Sequence, residues 1–224
     1  MGPKKFHFKL PKNNHPTNIR LPESWYPGIQ QYWEKSTTKR LYNPIFGIKA
    51  IVIHATAGHS SEGAISVMRS GKGSWHWLVP DENESEHENI IWACAPETLA
   101  AWHVRNDKFH PDVNEGKNKI NHWSLGVEIV NSQRQDPFSD WQVRVTADIV
   151  KYCWMKYPNL EHVVSHAKLD PTRRTDPGTN FPWQRFKETV LNNNIDNMLV
   201  FNDVIDNRRT LPIIQDIDLE DICC

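Results

Sequence analysis

Residues 48–54, with the sequence Ile-Lys-Ala-Ile-Val-Ile-His, limit the possible folds of this chain more than any other segment. Side chains alternate between the two faces of a strand, and here nearly every position on both faces is apolar. Strands of this kind occur where helices cover a sheet on both sides. The segment therefore predicts a central strand with His54 at its end.

The following segments alternate between helix and strand patterns. Ser60 and Ser61 are candidate N-caps for a helix that stops at Gly71, and helical spacing from Asp140 predicts a second helix that ends before Pro158. Further strands are predicted over residues 74–79, 90–93, 125–129 and 163–164, with an exposed polar turn over 81–89. We therefore predict an α/β fold of the mixed α+β kind, in which helices flank a central mixed β-sheet.

The length of 224 residues suits one domain with extensions rather than two full domains. Prolines are frequent in residues 1–45, which predicts an N-terminal arm packed on the domain, with a short helix within 23–35. We expect the main domain to span residues 46–189 and the protein to be a monomer. Residues 190–224 are acidic and predict a C-terminal extension, with an apolar patch at 198–205.

Composition excludes several classes of protein. A net charge of -1 gives no general attraction for a phosphate backbone, so we expect no nucleic-acid partner. No segment approaches the roughly 20 apolar residues of a membrane span. The basic residues 1–12 precede no apolar run, so we expect no signal peptide, and a protein that is cytoplasmic or exported without a classical signal. Cys94 and Cys153 are isolated, and we interpret them as buried, reduced thiols.

Three segments contain a side chain of a type that binds metals, namely His54 in IVIHATAG, His166 in VVSHAKLD and Asp176 in RRTDPGTNF. Two imidazoles and one carboxylate leave a fourth tetrahedral position for water, as catalytic zinc requires. The chain has 11 histidines, however, and from residue types alone a surface or core role is the simpler interpretation of each one. Two other zinc signatures, H-E-x-x-H and H-x-E with P-C-x-x-C, are absent.

Five strings change that interpretation: VIHATAG, SWHWLV, AWHVRN, NHWSLGVEIVN and SHAKLDPTRRTDPGTNFPW. In this order they resemble the type 2 N-acetylmuramoyl-L-alanine amidase family, which includes the peptidoglycan recognition proteins. The resemblance covers about residues 46–187. It implies zinc-dependent hydrolysis of the amide between N-acetylmuramic acid and L-alanine in peptidoglycan or muropeptides.

The resemblance also implies a role for each matching position. His54, His166 and Asp176 correspond to the ligands of one zinc ion, and Glu128 in LGVEIVN corresponds to the acidic catalytic residue. Arg174 stands where well-known members carry lysine, and because a guanidinium keeps its proton we assign it only the stabilisation of an oxyanion. The predicted substrate-binding residues are Trp75, His76, His103 and Arg105, where Trp75 replaces a tyrosine of some members.

Several alternatives remain open at this point. The chain is also compatible with a non-catalytic peptidoglycan-binding protein, because recognition members of the family keep the groove and lose a metal ligand. The terminal extensions are candidate surfaces for a protein partner. For His76 and His103, substrate binding, support of a metal ligand and hydrogen bonding in the core are all possible. A recycling enzyme, a phage endolysin and an antibacterial effector all fit the sequence, and the terminal extensions slightly disfavour simple recycling.

Overall fold

The computed structural model describes residues 1–16, 33–81, 84, 91–133 and 136–192. The strands in these ranges are β1 (His7–Lys9), β2 (Thr37–Lys39), β3 (Ala50–Ala55), β4 (Trp77–Val79), β5 (Trp92–Ala93), β6 (Leu99–Ala101), β7 (Ser124–Ile129) and β8 (His162–Ser165). The α-helices are α1 (Ser61–Arg69), α2 (Asp140–Lys156), α3 (His166–Leu169) and α4 (Trp183–Leu191). Within the described ranges, every helix is too short or too polar to cross a membrane.

Six strands form one mixed sheet in the order β1-β8-β3-β7-β4-β5. The inner strands β8, β3, β7 and β4 run parallel to one another, while the edge strands β1 and β5 pair antiparallel with β8 and β4. Strands β2 and β6 form a separate antiparallel pair. The sheet confirms the predicted fold class, and β3 lies inside it as expected from the apolar pattern of residues 48–54.

The two faces of the sheet differ because side chains alternate along each strand. On one face, Ile53 of β3 lies beside Val127 of β7, and both belong to the main hydrophobic core that includes α2 and α4. On the other face, His54 lies beside Glu128 in the same parallel register. The register that builds the core on one side therefore brings two polar side chains together on the other.

The two helices predicted within the main domain are confirmed, and each begins at a capping residue. The Ser60 side chain accepts a hydrogen bond from the Gly63 amide at the start of α1, and Gly71, with a φ of +71°, follows the end of that helix. At the start of α2, Ser139 and Gln142 form a reciprocal capping box. Helix α2 ends at Lys156, in agreement with the stop predicted before Pro158.

The N-terminal residues contribute to the central sheet and its core. β1 pairs with β8, and the ring of Phe6 stacks on Trp183 of α4 with their centroids 4.7 Å apart. The helix predicted within 23–35 lies mostly outside the described residues, and residues 33–35 are not helical. Residues 193–224, with most of the predicted C-terminal extension, also lie outside them. Cys94 and Cys153 are buried and unpaired, as expected.

Candidate metal centre

His54, His166 and Asp176 come from three separate elements. His54 is near the end of β3, and His166 is the first residue of α3, directly after β8. Because β3 and β8 are parallel neighbours, their carboxyl ends lie at the same edge of the sheet. Asp176 lies between α3 and α4, where its backbone carbonyl accepts a hydrogen bond from the amide of Ala167. The fold thus brings together three side chains that are up to 122 residues apart in sequence.

The three side chains are buried and present one atom each to a common point. The Nδ1 atoms of His54 and His166 are 3.0 Å apart, and the Oδ2 atom of Asp176 is 3.2 Å from the first and 3.0 Å from the second. Their exposed fractions are 3% for each histidine and 5% for Asp176. Within the described part of the chain, no other group of three His, Cys, Asp or Glu residues is arranged to hold a metal ion.

The environment of the cluster sets the protonation of its members. Burial lowers the pKa of His54 to about 4, and His166 adds to that shift. Burial would raise the pKa of Asp176, but the imidazoles of His166 and His54 hold it below its ordinary value. At neutral pH, the cluster therefore contains a neutral His54 imidazole and an ionised Asp176 carboxylate.

The cluster fits a zinc ion. Ligand atoms about 2.0–2.1 Å from a tetrahedral zinc ion lie about 3.3 Å from one another. The separations of 3.0 to 3.2 Å found here are close to that value. Two imidazoles and a carboxylate are also a usual protein ligand set of catalytic zinc, and they leave one coordination position for water or substrate.

Glu128 lies next to this cluster. It pairs in register with His54, and 8% of its surface is exposed. Burial raises the pKa of Glu128 well above its ordinary value, the Asp176 carboxylate adds to this shift, and Arg174 partly opposes it. A carboxylate with a raised pKa is a better proton acceptor near neutral pH, which is what a general base requires.

A cavity of about 500 Å³ opens onto the cluster. Seven of the predicted site residues line it: His54, Trp75, His103, Glu128, His166, Arg174 and Asp176. This volume is in the range of cavities that bind small molecules. Substrates commonly bind in cavities of this size that have a few converging polar groups.

Comparison of the sequence with known proteins identifies the family of the chain that contains this site. A sequence model of N-acetylmuramoyl-L-alanine amidases, the Amidase_2 family, matches residues 42–179, which is more than half of the chain. The chain belongs to this amidase family. The resemblance seen in the five strings is thereby confirmed.

The relatives of this amidase-family chain are themselves amidases. N-acetylmuramoyl-L-alanine amidase AmiD from Escherichia coli is 30% identical over 151 residues, which are 63% of this chain and 52% of AmiD. The 1,6-anhydro-N-acetylmuramyl-L-alanine amidase AmpD from Haemophilus influenzae is 30% identical over 92 residues, 40% of this chain and 47% of AmpD. The chain therefore spans about half the length of these curated relatives.

Solved structures agree with the fold. AmpDH3 from Pseudomonas aeruginosa matches with a TM-score of 0.57 and 22% identity, over 73% of this chain and 66% of that one. AmiD from E. coli, solved with the substrate anhydro-N-acetylmuramic acid-L-Ala-D-gamma-Glu-L-Lys, matches with a TM-score of 0.53 and 27% identity. That match covers 68% of this chain and 61% of AmiD.

Two of the four predicted substrate-binding residues of the amidase-family chain lie outside the cavity lining. His76 is fully buried, where its Nδ1 accepts a hydrogen bond from the Gly126 amide and its Nε2 lies 3.1 Å from the carbonyl oxygen of Leu99. Arg105 is exposed, with its Nε 3.8 Å from the Asp107 carboxylate. The structure therefore places His76 among core hydrogen bonds and Arg105 on the surface.

The other two residues line the cavity in different ways. Trp75 is buried in its wall. His103 has its Nδ1 3.0 Å from Nε2 of His54, so it contacts a candidate ligand directly. Trp102 is 41% exposed and also lines the cavity.

Arg173 and Arg174 both line the cavity, but their partners differ. The Nε of Arg173 donates a hydrogen bond to the fully buried Asp170 at 2.9 Å. The exposed Arg174 instead acts on the cluster through its charge, which lowers the pKa of both Glu128 and His54. Of the two arginines, Arg174 therefore has the electrostatic position expected for a group that stabilises negative charge.

Gln133 is a cavity residue that sequence reasoning missed. Its Nε2 donates to the carbonyl oxygen of Ala55 at 2.8 Å, and its Oε1 accepts from the hydroxyl of Thr175 at 3.1 Å. Gln133 thus links the end of β3 to the segment that carries Asp176. A glutamine in a polar loop has no distinguishing sequence pattern, so only the three-dimensional contact identifies it.

Proposed function

We propose that this chain is a zinc-dependent hydrolase that cleaves the amide between N-acetylmuramic acid and L-alanine in peptidoglycan or muropeptides. The observation that carries the proposal is the buried cluster of His54, His166 and Asp176 at the end of a cavity that also holds Glu128. The curated relatives are muramoyl-L-alanine amidases, and AmiD was solved with a muramoyl-peptide substrate. These names support the choice of bond.

The chemistry follows from the residues that face the cavity. When bound, zinc in such a site supplies a water of lowered pKa and polarises the carbonyl of the amide. Glu128 then accepts a proton from the attacking water and delivers it to the nitrogen of the departing L-alanine. Arg174 holds positive charge where the carbonyl oxygen becomes negative, so it lowers the energy of the tetrahedral intermediate.

The main competing function is binding of peptidoglycan without catalysis. A binding protein needs the cavity but does not need three metal-ligand side chains with a base of raised pKa beside them. All four residues are present here and meet at one place. This favours catalysis over recognition alone.

The test is an assay on two substrates with mass spectrometry of the products. Purified protein loaded with zinc should release L-alanyl peptides from intact sacculi or from soluble anhydro-muropeptides, and a chelator should stop the reaction until zinc is returned. His166→Ala should abolish turnover, whereas His110→Ala, which changes a histidine outside the cavity, should leave it intact. Binding of the substrate without any cleavage by the zinc-loaded protein would contradict the proposal, and the preferred substrate separates recycling from lysis.

We also propose that residues 1–45 form an arm packed on an amidase domain at 46–189, that residues 190–224 form a C-terminal extension, and that both segments offer surfaces for a protein partner. Truncation of the C-terminal extension is best made after Asn192, because Val190 is fully buried in the core. The shortened protein should keep its turnover and lose any partner that the full chain captures. Loss of turnover in a folded truncation would show that the extension belongs to the catalytic unit.

A further inference from the structure

His54 is the start of a chain of hydrogen bonds that leads away from the metal centre. Its Nε2 lies 3.0 Å from Nδ1 of His103, and Nε2 of His103 lies 3.2 Å from the hydroxyl oxygen of Ser124. That hydroxyl donates to the carbonyl oxygen of Ile120 at 2.7 Å. This series of hydrogen bonds ends on a backbone carbonyl, which can only accept. The carbonyl therefore fixes which atom is the donor in every hydrogen bond of the series.

The direction follows link by link. Since the Ser124 hydroxyl gives its hydrogen to Ile120, its oxygen accepts a hydrogen from Nε2 of His103. In a neutral imidazole the other ring nitrogen is then bare, so Nδ1 of His103 accepts a hydrogen from Nε2 of His54. By the same rule, Nδ1 of His54 has no proton, and this is the atom that faces His166 and Asp176.

We propose that His103 is a positioning residue that selects the tautomer and ring orientation of His54, so that the Nδ1 lone pair of His54 points at the metal. This inference rests on the proposed metal centre. Of the roles that the sequence left open for His103, it selects support of a metal ligand rather than the predicted substrate binding. Histidine ligands in metal sites commonly donate their second N–H to a protein acceptor, and loss of that acceptor weakens metal affinity about 10–100-fold.

Neighbouring residues fix both the backbone and the ring of His103. The Asn121 side-chain oxygen accepts hydrogen bonds from the amides of His103 and Val104, and its amide group donates to the Val104 carbonyl at 2.7 Å. The ring lies directly over Gly126 of β7, where a Cβ atom would come within 2.9 Å of His103 Cγ. A side chain at position 126 would therefore push the His103 ring away from His54.

The second histidine of the cluster lacks such support. Nε2 of His166 is buried and has no hydrogen-bond partner among the described residues. The position of His166 is set instead by its place at the start of α3, where Ser165 caps the helix. Of the two histidines, only His54 is therefore oriented by a hydrogen bond from its second ring nitrogen to another side chain. A substitution of His103 should for this reason change the affinity for the metal.

The experiment measures zinc affinity by competition with a chromophoric chelator, together with the unfolding curve of the metal-free protein. His103→Leu removes the acceptor and should weaken zinc binding about 10–100-fold. His103→Asn places an amide oxygen near the former Nδ1 position and should restore most of the affinity. Gly126→Ala, which leaves all polar groups in place, should weaken binding in the same direction as His103→Leu.

A spectroscopic readout keeps the test independent of variant folding. Long-range ¹H–¹⁵N spectra of the wild-type protein should show His103 as the neutral tautomer with its proton on Nε2. A proton on Nδ1 of His103, or a folded His103→Leu protein that binds zinc as tightly as wild type, would overturn the inference. If either result is found while the wild-type protein still binds zinc and cleaves substrate, only the role of His103 is wrong and the proposed function stands. Wild-type protein that binds no zinc would refute the proposed function and the role of His103 together.

Discussion

Glu128 shows how neighbouring residues set the chemical properties of a single side chain. On β7 its side chain points to the face opposite the core, beside His54 and close enough to Asp176 for that carboxylate to raise its pKa. Burial of a carboxylate is costly to folding, which is consistent with the role as a base that we propose for Glu128. In the sequence, the apolar residues Leu125, Val127 and Ile129 alternate with Gly126 and Glu128, so a strand here places Glu128 on the opposite face.

Replacement of that base tests its role. Glu128→Gln keeps the size and burial of the side chain but removes the proton acceptor, so kcat should fall about 10²–10⁴-fold. Zinc content, measured by elemental analysis, should stay equal to that of wild type because Glu128 is not a proposed ligand. Glu161→Gln, outside the cavity lining, is the matched control and should keep full turnover. Unchanged turnover in zinc-loaded Glu128→Gln would remove Glu128 from the mechanism.

Arg174 offers a second prediction, on pH dependence. Its charge lowers the pKa of Glu128, so Arg174→Ala should raise that pKa further and move the acidic limb of the kcat/KM profile to higher pH. Loss of charge opposite the oxyanion should also lower kcat about 10²-fold. Arg174→Lys keeps the charge and should stay near wild type in both respects. A profile for Arg174→Ala that coincides with wild type would contradict this role.

Sequence reasoning reached some site residues and missed others for identifiable reasons. His54, His166, Asp176 and Glu128 stand in strings whose pattern and order are specific, and the structure brings all four together. His103 contacts His54 across 49 residues of sequence. The residues around His103 in the sequence do not indicate whether its side chain contacts a metal ligand or a substrate.

Among the structural elements, α1 and α2 were the most predictable because their ends have strong local signals. Ser60, Ser139 and Gly71 mark three of these ends, and capping depends on only a few neighbouring residues. Short strands have no comparable signal. β1 has three residues and β5 has two, so their assignment depends on partners elsewhere in the chain.

His76 links elements, and its burial predicts an acid-sensitive fold. It joins the β7 amide of Gly126 to the β6 carbonyl of Leu99, and burial lowers its pKa to about 3, with the charge of Arg40 adding to the shift. The unfolded chain binds this proton at its ordinary pKa of 6.5, so the stability from neutral His76 is complete above that pH. It is lost as the pH falls from 6.5 towards 3.

The measurement is urea unfolding of metal-free protein across that pH range. His76→Asn retains an acceptor for the Gly126 amide but does not titrate, so the slope of unfolding free energy against pH should decrease by up to about 1.4 kcal/mol per pH unit. His110→Asn, a partly exposed histidine, should change the slope less. Equal slopes in wild type and His76→Asn would assign the acid sensitivity to other buried histidines.

At the scale of the whole molecule, the order of the strands could not be predicted from the sequence. The pattern of residues 48–54 indicated a central strand, but the neighbours of β3 are β7 and β8, which follow it by about 70 and 110 residues. Parallel pairing of distant segments is decided by packing across the sheet rather than by local propensity. The site exists only because this order places their carboxyl ends side by side.

The N-terminal segment is part of this packing, which leads to a prediction on stability. Phe6 is 1% exposed and stacks on Trp183, so Phe6→Ala should lower the free energy of unfolding by about 3–5 kcal/mol. Phe109→Ala, at a phenylalanine that is 56% exposed, should change it by less than about 0.5 kcal/mol. Chemical denaturation of the two variants measures the difference, and similar losses would argue against a role of residues 1–10 in the core.

The unequal origin of the three proposed ligands has a dynamic consequence. His54 and His166 stand on or directly after strands of the central sheet, whereas Asp176 stands on the irregular segment between α3 and α4. A cation shared by all three tethers that segment to the sheet. Its removal should therefore speed amide hydrogen exchange in residues 171–180 while β3 and β8 stay protected, so that the wall of the cavity loosens before the scaffold does.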